Sequence, residues 1–554
     1  MNKKVCSFPI LFALLALLIG TCAVVFPASA QAAPTSTGSI TVSGTVASSY
    51  DAYQIFSANV VDGDSDAKIA TDLAWASDAA RDAVLPVLHS AGMPNSQTTA
   101  QEAAEWLNTD SHLTSALSAQ LARSLQSSGA VSVALNAGTT AGLPCGYWLI
   151  VADDDAIAQG EAGTAPIMAL VGGSAVTVKP KAATPKVAKH VLEDSTAAWQ
   201  KAADATVADD LYWRLSATVP AGLAAYDTYT VRFVDTMSAG LDPSKVAASM
   251  RVYVAAGADG GFDAVSTGRD GRAGTDPAKG WTDITAQYRV SADGKTFTVR
   301  TGDLIAALGG ADAFTAGARV VAVYNAPLNS ACSHGIAKGN PNEVYLRYPR
   351  SPFADQSGDA GFTRTPSDNA CAYTWDLALT KRGSDGDKPL AGAVLSIADD
   401  RGRTLAADGA WDAEGKATVT TGEDGLVTVS GVDSGKLEVR ELKAPKGYTA
   451  FEGTRSVTVK AEGLDVDQVA AAKPKLTITA ESPLRADSAD GSTGSLEASL
   501  INTPTGTPPS ITTGGFMPST GDMAMYAAAA AAVAGAALIV VALLVKRGGG
   551  SHKE

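Results

Sequence analysis

Three kinds of residue able to do chemistry, a lysine, an acid and an asparagine, recur in the same order twice along the chain. In a β-strand, residues two apart share a face. Val187, Lys189 and Val191 lie on one such face, as do Val231, Phe233 and Asp235, and Asn342, Val344, Leu346 and Tyr348. The set then repeats: Leu377 and Leu379 lead to Lys381, Leu437 and Val439 lead to Glu441, and Leu496, Ala498 and Leu500 lead to Asn502. Any one of these polar residues reads as a side chain snorkelling from a strand end. An ordered Lys, acid and Asn trio, twice over at buried phase, argues for more, because an unpaired buried lysine or carboxylate costs several kcal/mol. Members of each trio must compensate one another.

The trio has a chemical purpose. Desolvation lowers a lysine pKa toward a neutral amine and raises that of an acid toward a proton donor. Held against an asparagine carboxamide, the amine attacks the carbonyl, the acid polarises it and ammonia leaves. Folding supplies the effective concentration that makes amide exchange feasible. Asp235 and Glu441 are therefore the expected catalytic acids of a self-modification, and Lys189–Asn342 and Lys381–Asn502 the expected isopeptide bonds, each tying a first strand to a last.

These residues need strands to hold them. Alternating stretches separated by Gly/Asp-rich turns such as "SADGKT" predict an all-β sandwich over 183–370, and "LAGAVLSI", "GLVTVSGV" and "KLEVREL" predict a second over 372–505. The preceding segment, 37–181, mixes strands ("SITVSGTV" with Ile40, Val42 and Val46 on one face, "YWLIV", "IMALV") with a helix marked by Leu113, Leu117, Leu121 and Leu125. The expected class is mainly β: tandem immunoglobulin-like sandwiches after an N-terminal domain with added helices. Residues 506–516 form a Pro/Thr/Gly spacer with no capacity to pack.

Composition excludes other functions. A net charge of −14 with no long Lys/Arg run argues against nucleic-acid binding. The five histidines lie far apart with no metal spacing, and "DGDSDA" (Asp62 to Ala67) has Ala67 where a calcium loop needs Gly and Leu73 where it needs Glu. It reads as a solvated turn. No hydrolase, metalloenzyme or nucleotide motif is present; no cofactor, no metal and no turnover enzyme activity are expected. Of five cysteines, Cys6 and Cys22 precede the expected cleavage point. Cys145, Cys332 and Cys371 allow at most one intrachain disulfide, with Cys332–Cys371 the favoured pair and Cys145 a small buried residue.

The chain ends set the compartment. Residues 1–30 read as a secretory signal peptide: Lys3 and Lys4, the apolar "FALLALLIG", and "ASA" before a cut after Ala30, or after Ala33 as the second choice. Residues 517–554 open with "MPSTGD" and hold an apolar run, 526–545, expected to be a transmembrane helix, followed by Lys546 and Arg547.

The chain resembles a major (backbone) pilin of Gram-positive sortase-assembled pili. "TPKVAKHV", "YDTYTVRFVDTMSAGL" and "GNPNEVYLRYPRSP" resemble the isopeptide-forming fimbrial domain. "LALTKRGSDGDKPLAGAVLSI", "LEVRELKAPKGY" and "ASLINTP" resemble a collagen-adhesin B-type domain, whose E-box glutamate matches Glu441. Met517, Pro518, Ser519, Thr520 and Gly521 resemble the LPxTG sorting motif, with Met517 in place of Leu. The resemblance implies that a sortase thiol cuts between Thr520 and Gly521, so that the apolar helix anchors the chain only transiently. "VTVKPK" resembles the pilin motif, which puts the joining nucleophile at Lys181; Lys179 is the alternative, since it stands where the family usually has Tyr and the upstream Trp is absent. The implied partners are sortase, identical subunits joined head to tail, peptidoglycan, minor pilins and a host surface, at a cell-wall-anchored surface pilus. The alternative function is a wall-anchored monomeric or pilus-tip adhesin that binds a host ligand.

Overall fold

The computed structural model of the chain describes residues 36–506, apart from 45, 65–66, 110, 164, 181–183, 221–222 and 258–280. The expected signal peptide, Lys181, the expected sorting motif and the apolar run 526–545 lie outside the described residues. Among the described residues, no helix is long and apolar enough to cross a membrane. The described chain is mainly β, its strands falling into six sheets.

Two sheets open the chain. One has strand Thr37–Val42 between Gly138–Pro144 and Val176–Val178, and the other is built on the long strand Ser49–Asp62. Helices Asp78–Ser90, Ala100–Asn108 and Ser115–Ser127 lie between their strands. Thr99 and Glu102 cap the second helix reciprocally, each side chain accepting the other's backbone N–H. Leu117, Leu121 and Leu125 are buried on the third helix, but Leu113 is exposed, because Thr114 caps that helix and leaves Leu113 outside it. Ile40 and Val42 are buried in the first strand; Val46 is buried beyond its end. Cys145 is fully buried in a small apolar cluster with Val60 and Leu170.

The next two sheets face each other. One runs Ala198–Gln200, Val187–Glu193, Tyr212–Thr218, Arg319–Asn325, Arg251–Ala255, Trp281–Asp283. The other runs Ala202–Asp204, Asp368–Tyr373, Asn340–Pro349, Arg232–Met237, Thr296–Arg300, Arg289–Asp293, with Phe362–Arg364 beside Asn340–Pro349. Their inner faces share a core that includes Val191, Trp213, Phe233, Phe297, Tyr324, Val344 and Leu346. The stretch "RVVAVYN" is apolar on both phases because Val321 and Val323 are buried on the outer face against Tyr253 and Trp281. Within "SADGKT", Gly294 takes a φ of 60° in a two-residue turn between Asp293 and Thr296, a conformation glycine adopts without steric cost.

The last pair of sheets encloses a separate core of Leu377, Leu379, Leu395, Val439, Val457 and Leu500 among others. One sheet has Trp375–Gly383 between Leu426–Val432 and the parallel strand Ser495–Pro504; the other is centred on Val394–Ala398, Gly435–Lys443 and Thr454–Glu462. Burial along "WDLALTKRG" alternates strictly, as expected of a strand with one face in the core.

The two sandwiches share a wall. On strand Asp368–Tyr373, Ala370 and Ala372 belong to the first core while Cys371 and Tyr373 belong to the second. Its parallel neighbour Ala202–Asp204 does the same with Ala203 and Ala202. The Trp375 indole and the backbone N–H and hydroxyl of Ser434 all donate to Asp204, at 2.6 and 2.7 Å.

This wall also separates the cysteines. Cys332, Cys371 and Cys145 are free, so the expected Cys332–Cys371 disulfide is not formed. Cys371 points into the second core, its sulfur over Gly339, where an added Cβ would come within 2.5 Å. Cys332 packs against the first core with its sulfur 3.5 Å from His334 Nε2.

Candidate functional site

All six trio residues are withdrawn from water: Lys189, Asp235, Asn342 and Lys381 are 0% exposed, Asn502 2% and Glu441 6%. They assemble at two separate places.

At the first, Lys189 comes from the inner face of one sheet, while Asp235 and Asn342 lie on adjacent strands of the sheet opposite, where Asn342 pairs with Met237, two residues from Asp235. Lys189 Nζ donates to Asp235 Oδ2 and, at 2.9 Å, to the Tyr324 hydroxyl. That hydroxyl donates to Asp235 Oδ2 at 2.9 Å and accepts from Asn342 Nδ2 at 2.7 Å. Lys189 Nζ also sits 5.5 Å from the Trp213 ring centre and 5.4 Å from that of Tyr324. Burial lowers the lysine pKa to about 8 against the opposing pull of Asp235, and burial raises that of Asp235. Both shifts favour the neutral forms. The backbone of Lys189 is gripped as well: its N–H donates to Asp368 at 2.7 Å and its carbonyl accepts from Lys201 Nζ at 2.7 Å.

At the second, Lys381 and Asn502 lie on adjacent parallel strands of one sheet, Lys381 opposite Leu500 and Gly383 opposite Asn502. Glu441 reaches them from the facing sheet. Asn502 Nδ2 donates to both Glu441 oxygens, at 2.9 and 3.0 Å. Lys381 Nζ donates to the Leu500 carbonyl at 3.1 Å and lies 3.7 Å from Glu441 Oε1, while the Phe451 N–H donates to Oε2 at 3.1 Å. Burial again lowers the lysine pKa to about 8, against Glu441.

The two arrangements are complementary in topology. In the first the acid shares a sheet with the asparagine and the lysine crosses the core; in the second the lysine shares a sheet with the asparagine and the acid crosses. Trp375–Gly383 and Ser495–Pro504 are the first and last strands of their sandwich. Asn340–Pro349, in contrast, is followed by Phe362–Arg364 and Asp368–Tyr373, so a Lys189–Asn342 bond would staple sheet to sheet and not first strand to last. Both sites leave acceptors unfilled: Asn342 Oδ1, Asn502 Oδ1 and Asp235 Oδ1 are buried without a hydrogen-bond partner. A buried carbonyl oxygen in that state costs free energy that a protonated carboxyl can recover.

Tyr324 was not among the residues singled out in the sequence. The signal for it is there: Val320, Ala322 and Tyr324 share the inner face of their strand, and a buried tyrosine hydroxyl needs a partner. Of the expected joining residues, Lys179 is exposed directly after strand Val176–Val178.

Comparison with known proteins finds chains similar to this one. One curated protein, the trypsin-resistant surface T6 protein of Streptococcus pyogenes serotype M6, is 30% identical over 143 residues, 24% of this chain and 24% of its own length. The chain thus spans about a quarter of the length of that relative. Among solved structures, the T6 backbone pilin of serotype M6 Streptococcus pyogenes is similar at 16% identity, with 86% of this chain and 100% of that chain covered and a TM-score of 0.46. The major pilin SpaD of Corynebacterium diphtheriae is similar at 15% identity, covering 84% and 98%, with a TM-score of 0.41. Residues 376–473, the segment that carries Lys381 and Glu441, match the SpaA prealbumin-like fold domain.

Proposed function

We propose that the chain is the shaft subunit of a covalently polymerised, wall-anchored surface pilus, hardened by two self-formed Lys–Asn isopeptide bonds. The observation that carries this reading is the pair of fully buried Lys/acid/Asn trios, each with an orphaned carboxamide oxygen. Each lysine amine, in its neutral form, attacks the asparagine Cγ while the neighbouring acid assists at the carboxamide. The Nζ–Cγ bond forms, the Cγ–Nδ2 bond breaks, and the proton lost from Nζ leaves on ammonia. The acid is returned unchanged, so the chemistry runs once per site. A trypsin-resistant surface relative agrees with such stapling.

Subunits are joined from outside. Sortase cleaves between Thr520 and Gly521, and the Lys181 amine of a second copy takes the Thr520 carbonyl. Head-to-tail joining is heterologous and gives an open filament. The test is a cell-wall extract on a denaturing gel. Wild-type chain should give a high-mass ladder, and Lys181→Ala should abolish it while leaving monomer on the wall. If Lys179→Ala alone removes the ladder, the nucleophile is Lys179; a wild-type chain that runs as a single band contradicts the shaft role.

A further inference from the structure

The two sites solve one problem differently. Exchanging an amine for a carboxamide requires a proton to travel from the attacking nitrogen to the departing one. At the second site Glu441 touches both ends: it takes two hydrogen bonds from Asn502 Nδ2 and lies 3.7 Å from Lys381 Nζ. At the first site Asp235 makes no hydrogen bond of its own to Asn342; its Oδ2 is engaged by Lys189 and Tyr324, and its Oδ1 has no partner. Among the described residues, the one group that touches lysine, acid and asparagine together is the Tyr324 hydroxyl, 2.9 Å from Nζ, 2.9 Å from Oδ2 and 2.7 Å from Nδ2.

Building on the cross-link reading above, we propose that Tyr324 is a catalytic proton relay of the Lys189–Asn342 site, a part the Lys381–Asn502 site does without. As Nζ bonds to Cγ, the phenol oxygen accepts the proton that Nζ sheds and passes its own to Nδ2, which departs as ammonia when the Cγ–Nδ2 bond breaks. Tyr324 ends as it began, and Asp235 ends with the proton it held. A hydroxyl suits this task because it donates and accepts at once. Burial, with Asp235 beside it, raises the phenol pKa well above its ordinary value, so the hydroxyl stays protonated before and after the relay. The ring is fixed for the purpose, edge-on to Phe297 with ring centres 5.0 Å apart.

The experiment follows both cross-links in one molecule. Full-length chain recovered unreacted in urea is diluted into buffer, and linked peptides are counted against time by mass spectrometry. In Tyr324→Phe, which keeps the ring and its packing, the Lys189–Asn342 link should form ~100-fold more slowly, the scale of a lost general acid–base group. The Lys381–Asn502 link should keep its wild-type rate. Wild-type speed at Lys189–Asn342 in the variant overturns the relay, whereas a wild-type chain that never shows this link overturns the cross-link reading itself. Should Tyr324→Phe fail to fold, chain carrying 3-fluorotyrosine, a more acidic phenol of nearly the same shape, replaces it. The pH profile of the Lys189–Asn342 link should then shift while that of Lys381–Asn502 stays; equal behaviour of the two links overturns the relay.

Discussion

Replacing Asn502 by Ala isolates what the second cross-link contributes. Asn502→Ala removes the carboxamide yet leaves Lys381 Nζ 3.7 Å from Glu441, so the buried amine and carboxyl keep each other as partners. The measured loss is then mostly that of the covalent constraint. A bond from Lys381 to Asn502 closes a loop of ~120 residues, and the chain-entropy relation gives ~5 kcal/mol of stabilisation through the unfolded state. For a unit of ~130 residues, 5 kcal/mol corresponds to a fall in Tm of ~15–20 °C. Scanning calorimetry of wild type and variant measures it, and intact mass should show one fewer ammonia lost in the variant. A fall below ~5 °C, or an unchanged number of ammonia molecules lost, refutes the reasoning.

Three further outcomes are expected. Asp235→Ala should leave Lys189 and Asn342 unlinked, with a folded chain that trypsin digests faster, because a buried amine has lost its acid; a peptide map still showing that link would remove Asp235 from its role. Both lysine pKa values are lowered to about 8, so the reactive neutral amine is the minor form below that pH and the major form above it. Refolding from urea should therefore link ~tenfold faster per pH unit from 6 upward and level off above 8; a flat profile contradicts an amine nucleophile. Alkylation in denaturant without reductant should modify Cys145, Cys332 and Cys371 alike, since all three are free, while in the native protein Cys371 should resist, its thiol buried and pushed up to about 11.

The six site residues could be found in the sequence because strand periodicity is local: a charged residue two positions from a buried valine inherits its face. Which sheet each strand joins is not local. Val187–Glu193 and Asn340–Pro349 read alike as alternating strands, yet they end on opposite sheets, and only long-range pairing decides that the Lys189–Asn342 pair crosses the core. Tyr324 is less legible in the sequence for a related reason. Its neighbours Val321 and Val323 are buried too, so the strand shows no alternation to mark Tyr324 as inward-facing. The Cys332–Cys371 reading failed because counting cysteines ignores direction: strand Asp368–Tyr373 serves two cores and turns Cys371 into the one Cys332 does not line. The same strand, with residues in both cores, spans the expected boundary between 370 and 372.

Intact mass of the mature chain tests the central claim most directly, because each isopeptide bond expels one ammonia and nothing else. The account predicts a mass below that of the sequence by two ammonia molecules in wild type, by one in Asn342→Ala or Asn502→Ala, and by none in the double variant. A wild-type mass equal to that of the sequence would contradict it.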